Sequence, residues 1–238
     1  MSLDIITHTN PKSPISEAYR TLRTNLQFSN IDGSLKIISI TSPSPSEGKT
    51  TTLCNVAETY AQSGKRTLVI DADLRKPRVH KTFKLSNAVG LTNVLTGQAK
   101  LEDVLQNTGS DIKVLTSGPI PPNPSELLES KAMKQLLEML RDHFDVILID
   151  TPPVGVVTDG AIVAGMVDGT ILAVASHQTQ IEAAKRAKQL LGQVNARIVG
   201  VVMTMMPVSK KGYYGYQYYE YYQQDERSKK RRRRKAGN

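Results

Sequence analysis

A chain of 238 residues with 39% hydrophobic content suits one α/β domain able to bury a substantial core. Its formal net charge of +9 looks like a nucleic-acid signal until it is located: seven of the positive charges sit in Lys229–Lys235, which leaves the net charge of the remainder near +2. A lone cysteine, Cys54, excludes an intramolecular disulfide and a cysteine-based metal cluster from one chain, and its position suits a small core residue.

Residues 1–13 are polar, contain Pro11 and read as an extended arm, with nothing resembling a signal peptide. From Ser13 a helix is expected. Ile15, Tyr19, Leu22 and Leu26 recur at i, i+4, i+7 and i+11 as one apolar stripe, while Glu17, Arg20 and Arg23 project from another side. Those three charges suit either a solvated face or an intersubunit contact.

A short β-type run at 36–41 leads into Thr41-Ser42-Pro43-Ser44-Pro45-Ser46-Glu47-Gly48-Lys49-Thr50-Thr51, and a helix-type run follows to Gln62. A strand, a small-residue turn and Gly-Lys-Thr at a helix start is the context of a phosphate-binding loop. Backbone N–H groups and the helix dipole there favour an anion. Lys49 would reach the β- and γ-phosphates and the Thr50 hydroxyl would sit on magnesium. The first glycine of G-x-x-x-x-G-K-[ST] is replaced here by Pro43.

The next apolar run, 67–71, ends in Asp71 and Asp73. The loop Leu74–His80 then carries Arg75, Lys76 and Arg78, cations that either approach a phosphate, an acceptor or a neighbouring subunit, or are simply solvated. Short helices are expected at 91–96 and 101–107 and a strand at 112–116. Residues 117–126 form a stiff proline-rich connection in which Ser125 caps the next helix and which borders the base pocket. A helix at 125–142 precedes the run 146–150, which ends in Asp150 before Thr151-Pro152-Pro153. Helices at 159–165 and 179–194 and strands at 170–175 and 198–204 complete the body.

This alternation predicts an α/β fold, a mainly parallel sheet with helices on both faces. Ligands of such sheets bind at the carboxyl ends of the strands, where Asp71, Asp73 and Asp150 would surround nucleotide phosphates. No apolar run approaches the ~20 residues of a membrane-spanning helix, and a cytoplasmic location is expected.

The tail is compositionally separate. Of nine tyrosines, seven fall within ten residues: Tyr213, Tyr214, Tyr216, Tyr218, Tyr219, Tyr221 and Tyr222. With no aliphatic anchor between Lys210 and Gln224, residues 209–238 read as a flexible segment. Three uses compete: a sticky interaction segment, stacking platforms for nucleic acid beside a basic run, and phosphate acceptors attached to their own enzyme.

The chain resembles the bacterial tyrosine autokinases that control capsule and exopolysaccharide production, the BY-kinases. The resemblance runs from Pro11 to about Tyr222. It is carried by residues 42–51 as Walker A, 68–77 as Walker A′, 146–153 as Walker B, Glu17-x-x-Arg20-x-x-Arg23 and the tyrosine cluster. It implies a P-loop NTPase fold over 14–208 and ATP with Mg²⁺ as cofactors. It also implies nucleotide contacts from Ser46, Glu47, Gly48, Lys49, Thr50 and Thr51, metal ligation by Thr50, Asp73 and Asp150 directly or through water, and Asp71 as acceptor of the tyrosine proton. Glu17, Arg20 and Arg23 would join subunits into a ring in which each offers its tyrosines to the next, and a membrane-embedded co-polymerase-type activator would recruit the chain to the inner face of the membrane. Other protein substrates fit the same chemistry, and nucleic acid is not an expected partner.

Two departures stand out. Ser46 replaces the usual glycine of Pro-Gly-Glu-Gly-Lys, for which weakened nucleotide binding is expected, and the basic run 229–235 is not a family feature. A partitioning or positioning ATPase would carry a second lysine where Ser44 stands, and an iron–sulfur relative would need more than Cys54. An idle nucleotide-binding module with a nucleic-acid- or scaffold-binding tail is the alternative from a different class.

Overall fold

The computed structural model describes residues 5–29 and 33–207, so the tyrosine cluster and the basic run lie outside the described residues. The strands are β1 (Ile37–Thr41), β2 (Thr67–Asp71), β3 (Gln106–Asn107), β4 (Ile112–Leu115), β5 (Val146–Asp150), β6 (Gly169–Ala175) and β7 (Ile198–Thr204). They form one sheet in the order β3-β4-β2-β5-β1-β6-β7, with the β3–β4 pair antiparallel and the other pairs parallel. The aliphatic runs have no polar alternation because β1, β2 and β5 are buried along their whole length.

Alternate residues of those strands face two cores. Ile38, Ile40, Val69 and Leu148 pack under α2 (Pro14–Phe28) and α3 (Lys49–Gln62), through Leu26, Leu53, Val56 and Tyr60. Ile37, Leu68, Ile70, Ile147 and Ile149 pack on the other face. Their cover comes from α5 (Leu91–Leu95), α7 (Pro124–Glu129), α8 (Lys131–His143) and α9 (Asp159–Ala164). A smaller cluster beneath α10 (Ile181–Gln193) joins Leu172, Ala187 and Leu191. The expected six parallel strands and two helical layers are present.

Four local expectations are corrected. The arm is not extended throughout: α1 (Ile6–Thr9) is helical, with Thr7 buried and its N–H donating to Asn55 Oδ1 at 3.0 Å. The helix foreseen at 125–142 breaks at Ser130, whose ψ of 158° is extended and whose hydroxyl accepts from the Met133 N–H, capping α8. The helix foreseen at 101–107 ends at Val104 as α6 (Leu101–Val104), and β3 follows. The loop after Asp73 turns into α4 (Val79–Phe83), which the sequence pattern does not announce. Among the described residues no helix is long and apolar enough to cross a membrane.

Candidate active site

Parallel pairing of β2 with β5 sets Asp71 directly beside Asp150 at the carboxyl ends of neighbouring strands. β1, on the other flank of β5, delivers the loop 42–48 to the same end. Gly48, with φ of 79°, enters α3 in the left-handed region, and Lys49 is the first helical residue and is buried. Ser46 is also left-handed, with φ of 64°.

A cavity of about 370 Å³ opens here. Its walls include Ser46, Gly48, Lys49, Thr50 and Thr51 from the loop and helix, and Asp73, Arg75, Lys76 and Arg78 from the segment after β2. Pro152, Pro153 and Val156 close it from the β5 side. The cations after Asp73 therefore border this cavity. A larger cavity, about 670 Å³, lies at the amino ends of β2 and β4 around Arg66, Thr67 and Ile112, away from the carboxylates.

The carboxylates differ in environment. The Thr50 hydroxyl donates to Asp150 Oδ2 at 2.5 Å, while the other oxygen, Oδ1, is buried without a hydrogen-bond partner among the described residues. Burial pushes Asp150 up to about 6 against the opposing pull of Lys49 and the Thr50 hydrogen bond. Asp71 is fully buried and stands well above the ordinary carboxylate value, through burial first and the Asp150 charge second. Its Oδ2 accepts from the N–H groups of Arg78 and Val79 at 3.1 and 3.0 Å and so caps α4 from a distance, while Oδ1 accepts from the Asp73 N–H. Asp73 reaches the cavity wall, and its Oδ1 accepts from the Lys76 N–H.

An oxygen-preferring divalent cation fits this donor set. The orphaned Asp150 oxygen, the Thr50 hydroxyl oxygen and Asp73 are hard ligands of the kind magnesium takes. No three His, Cys, Asp or Glu side chains converge on one point among the described residues, so water and phosphate oxygens would complete the shell.

A model of the AAA domain family matches residues 35–199. Tyrosine-protein kinase YwqD of Bacillus subtilis is 45% identical over 90% of this chain and 92% of its own. The chain belongs to the bacterial tyrosine kinases. Two solved structures agree with the kinase in fold: the chimerical protein CapA2B2, at TM-score 0.82 and 41% identity, covering 85% of this chain and 90% of its own, and the kinase domain of Escherichia coli tyrosine kinase ETK, at 0.81 and 36%, covering 88% and 84%.

Three sets of residues in the kinase sit differently from what the spacing suggests. Glu47 does not line the cavity; its carboxylate is buried and accepts from the Ser44 N–H and the Thr179 hydroxyl. Ser125 does not cap α7, whose N-cap position is Asn123. Its hydroxyl donates instead to Asp159 Oδ1 at 2.7 Å, and Arg75 binds the same fully buried carboxylate at 2.8 and 3.1 Å. Burial opposes the charge of Asp159, but the bonds from Arg75 and Ser125 outweigh it and hold the carboxyl below its ordinary value. This tie is the proline-rich segment's link to the cavity; residues 117–126 are absent from its described lining. On α2, Glu17 and Arg20 pair with each other at 2.8 Å, whereas Arg23 donates to the Thr59 carbonyl of α3 at 2.5 Å and has a buried Nε.

Proposed function

We propose that the kinase transfers the γ-phosphoryl group of Mg-ATP to tyrosines of its own C-terminal cluster, Tyr213 to Tyr222. The observation that carries this reading is the meeting of Lys49, Thr50 and Asp73 on the wall of one cavity of about 370 Å³ beside a helix N-terminus, with Asp150 hydrogen-bonded to Thr50 behind that wall. Thr50, Asp150 and Asp73 would hold a magnesium ion, which would supply charge neutralisation at the phosphates. Lys49 and the loop N–H groups bind and orient the β- and γ-phosphates. The phenolic oxygen forms a bond to the γ-phosphorus as the bond to the β–γ bridging oxygen breaks and ADP leaves. At an ordinary pKa of about 10 the tyrosine is protonated, so a carboxylate takes the proton during attack. The family resemblance favours Asp71 for that role, whereas Asp73 is the carboxylate on the cavity wall.

Delivery is between subunits. Glu17 and Arg20 pair on α2, with Arg23 tied to Thr59 beside them, and a head-to-tail contact through this part of the helix closes into a ring when the rotation permits. Each phosphate adds about −1.5 to −2 charges, so heavily modified tails oppose re-entry and release the ring. A membrane-embedded activator recruits the kinase to the inner membrane face, where it regulates capsule and exopolysaccharide synthesis.

Intact mass after incubation with Mg-ATP tests the reading, with peptide mapping of residues 210–224. Phosphate increments on the cluster are expected for the wild type and none for Lys49→Met. An unmodified wild type, with the activator's cytoplasmic segment also supplied, would refute it. Asp71→Asn and Asp73→Asn measured in parallel separate the two candidate proton acceptors.

A further inference from the structure

Glu47 is the one acidic residue of the loop 41–51, and the fold spends it internally. Its Oε2 accepts from the Ser44 N–H at 2.8 Å and its Oε1 from the Thr179 hydroxyl at 2.5 Å. The Thr179 oxygen in turn accepts from the Ala175 N–H at 2.7 Å, so the side chain of Glu47 is anchored to the end of β6. The main chain of Glu47 is anchored to β7: the hydroxyl of Thr204, the last residue of that strand, donates to the Glu47 carbonyl at 2.7 Å. The Val174 carbonyl lies farther from the same hydroxyl, at 3.3 Å.

This arrangement has a geometric consequence for the next residue. In a planar trans peptide the carbonyl and the following N–H point to opposite sides. Holding the Glu47 carbonyl on Thr204 therefore turns the Gly48 N–H away from β7, and Gly48 is a wall residue of the cavity. A Cβ on Gly48 would lie 3.3 Å from the Thr204 Cβ, so the loop and the strand end are also in direct contact.

We propose that Thr204, together with Thr179, is a positioning residue of the phosphate loop, fixing the Glu47–Gly48 peptide so that the Gly48 N–H is presented to a nucleotide phosphate. The inference rests on the nucleotide-site reading above. It makes the edge of the sheet, outside the three motifs, a determinant of nucleotide affinity.

The test is calorimetric titration of the full chain with Mg-ADP for wild type, Thr204→Val, Thr204→Ser and Thr179→Val. Valine keeps the branched shape against Gly48 and removes the hydroxyl, and affinity is expected to fall roughly fivefold to tenfold, the effect of one hydrogen bond. Serine keeps the hydroxyl and is expected to stay within about twofold of wild type, a difference of under about 0.5 kcal/mol. Thr179→Val removes the bond from the end of β6 to Glu47 Oε1 while leaving that from Ser44, and is expected to weaken binding independently, which keeps the inference testable if Thr204→Val does not fold. Wild-type affinity in both valine variants would overturn the inference. Equal weakening by Ser and Val at position 204 would overturn it too, assigning the effect to packing against Gly48. A wild type that does not bind Mg-ADP would instead overturn the nucleotide-site reading, and this inference with it.

Discussion

Ser46 is where replacing one side chain should separate folding from binding. Its φ of 64° places an L-residue in the left-handed region, and its side chain is exposed. Such a conformation costs about 1–2 kcal/mol for a non-glycine residue. The contacts that impose it are all within the protein: Glu47, next in the chain, is held by Ser44, Thr179 and Thr204. The strain is thus a property of the folded chain. Ser46→Gly removes it but adds about 0.5–1 kcal/mol of unfolded-state entropy to be lost on folding. The net gain is about 0.5–1 kcal/mol, which for a domain of this size raises Tm by about 1–4 °C. Scanning fluorimetry reads that shift, and Mg-ADP titration is expected to change by less than about threefold, under 0.7 kcal/mol. An unchanged Tm with affinity improved more than about tenfold would refute the reasoning. It would restore the simpler expectation that serine hinders the loop only when phosphates must be wrapped.

Other perturbations follow from particular contacts. Asp168 accepts from the Lys36 and Ile37 N–H groups at 2.8 and 2.7 Å and from both Arg141 Nη atoms at 2.9 and 2.7 Å. Asp168→Ala leaves these donors unpaired and should cost about 2–4 kcal/mol in urea unfolding. Gly155→Ala would put a Cβ 2.3 Å from the Pro43 carbonyl, so the phosphate loop or the turn after β5 must shift; a loss of about 1–3 kcal/mol is expected by thermal unfolding. Acid should act in two opposed stages. Asp150, raised to about 6 by burial, is charged in the fold above that value at a cost, and the cost is relieved as pH falls from about 6 toward its unfolded value near 4. Asp145, held at about 2 by its Arg66 hydrogen bonds, contributes stability present above about pH 4 and lost as pH falls through its lowered value. Without nucleotide, the urea midpoint should therefore be higher at about pH 5 than at pH 7.5 and fall below pH 4. Asp150→Asn should reduce the gain between pH 7.5 and 5, the rest coming from Asp71, which burial also raises, and Asp145→Asn should reduce the loss below 4, to which the lowered Asp159 and Asp168 also contribute.

Much of the fold is legible because buried parallel strands leave a plain signature. Runs such as 67–71 and 146–150 are continuous aliphatic segments that stop at an aspartate, and their register then places Asp71 beside Asp150. Gly48 and Lys49 announce a loop entering a helix, and that is where they sit. What escapes is set by partners distant in sequence. α4 forms because Asp71 caps it from β2, a bond that no local pattern carries. Asp159 reads as an ordinary helix-start acid, yet it is the buried anchor of Arg75. Glu47 stands in a nucleotide motif but faces inward because Thr179 and Thr204 meet it there, and two isolated threonines, one in the turn after β6 and one ending β7, carry no sequence signal. Ser130 was the readable exception: a serine ahead of Met133 and Leu136 has the form of an N-cap inside an otherwise helical run.

The double duty of Asp71 changes how loss-of-function alleles at that position must be interpreted. Its two oxygens hold three backbone amides, from Asp73, Arg78 and Val79, and so fix the segment that brings Asp73, Arg75 and Arg78 to the cavity. Alanine there would dismantle a scaffold as well as delete a carboxylate, so an inactive allele would not by itself identify a proton acceptor. Asparagine retains one acceptor oxygen for the amides of α4. The contrast between the two alleles, in amide hydrogen exchange over residues 72–83, separates the architectural share of the defect from the chemical one.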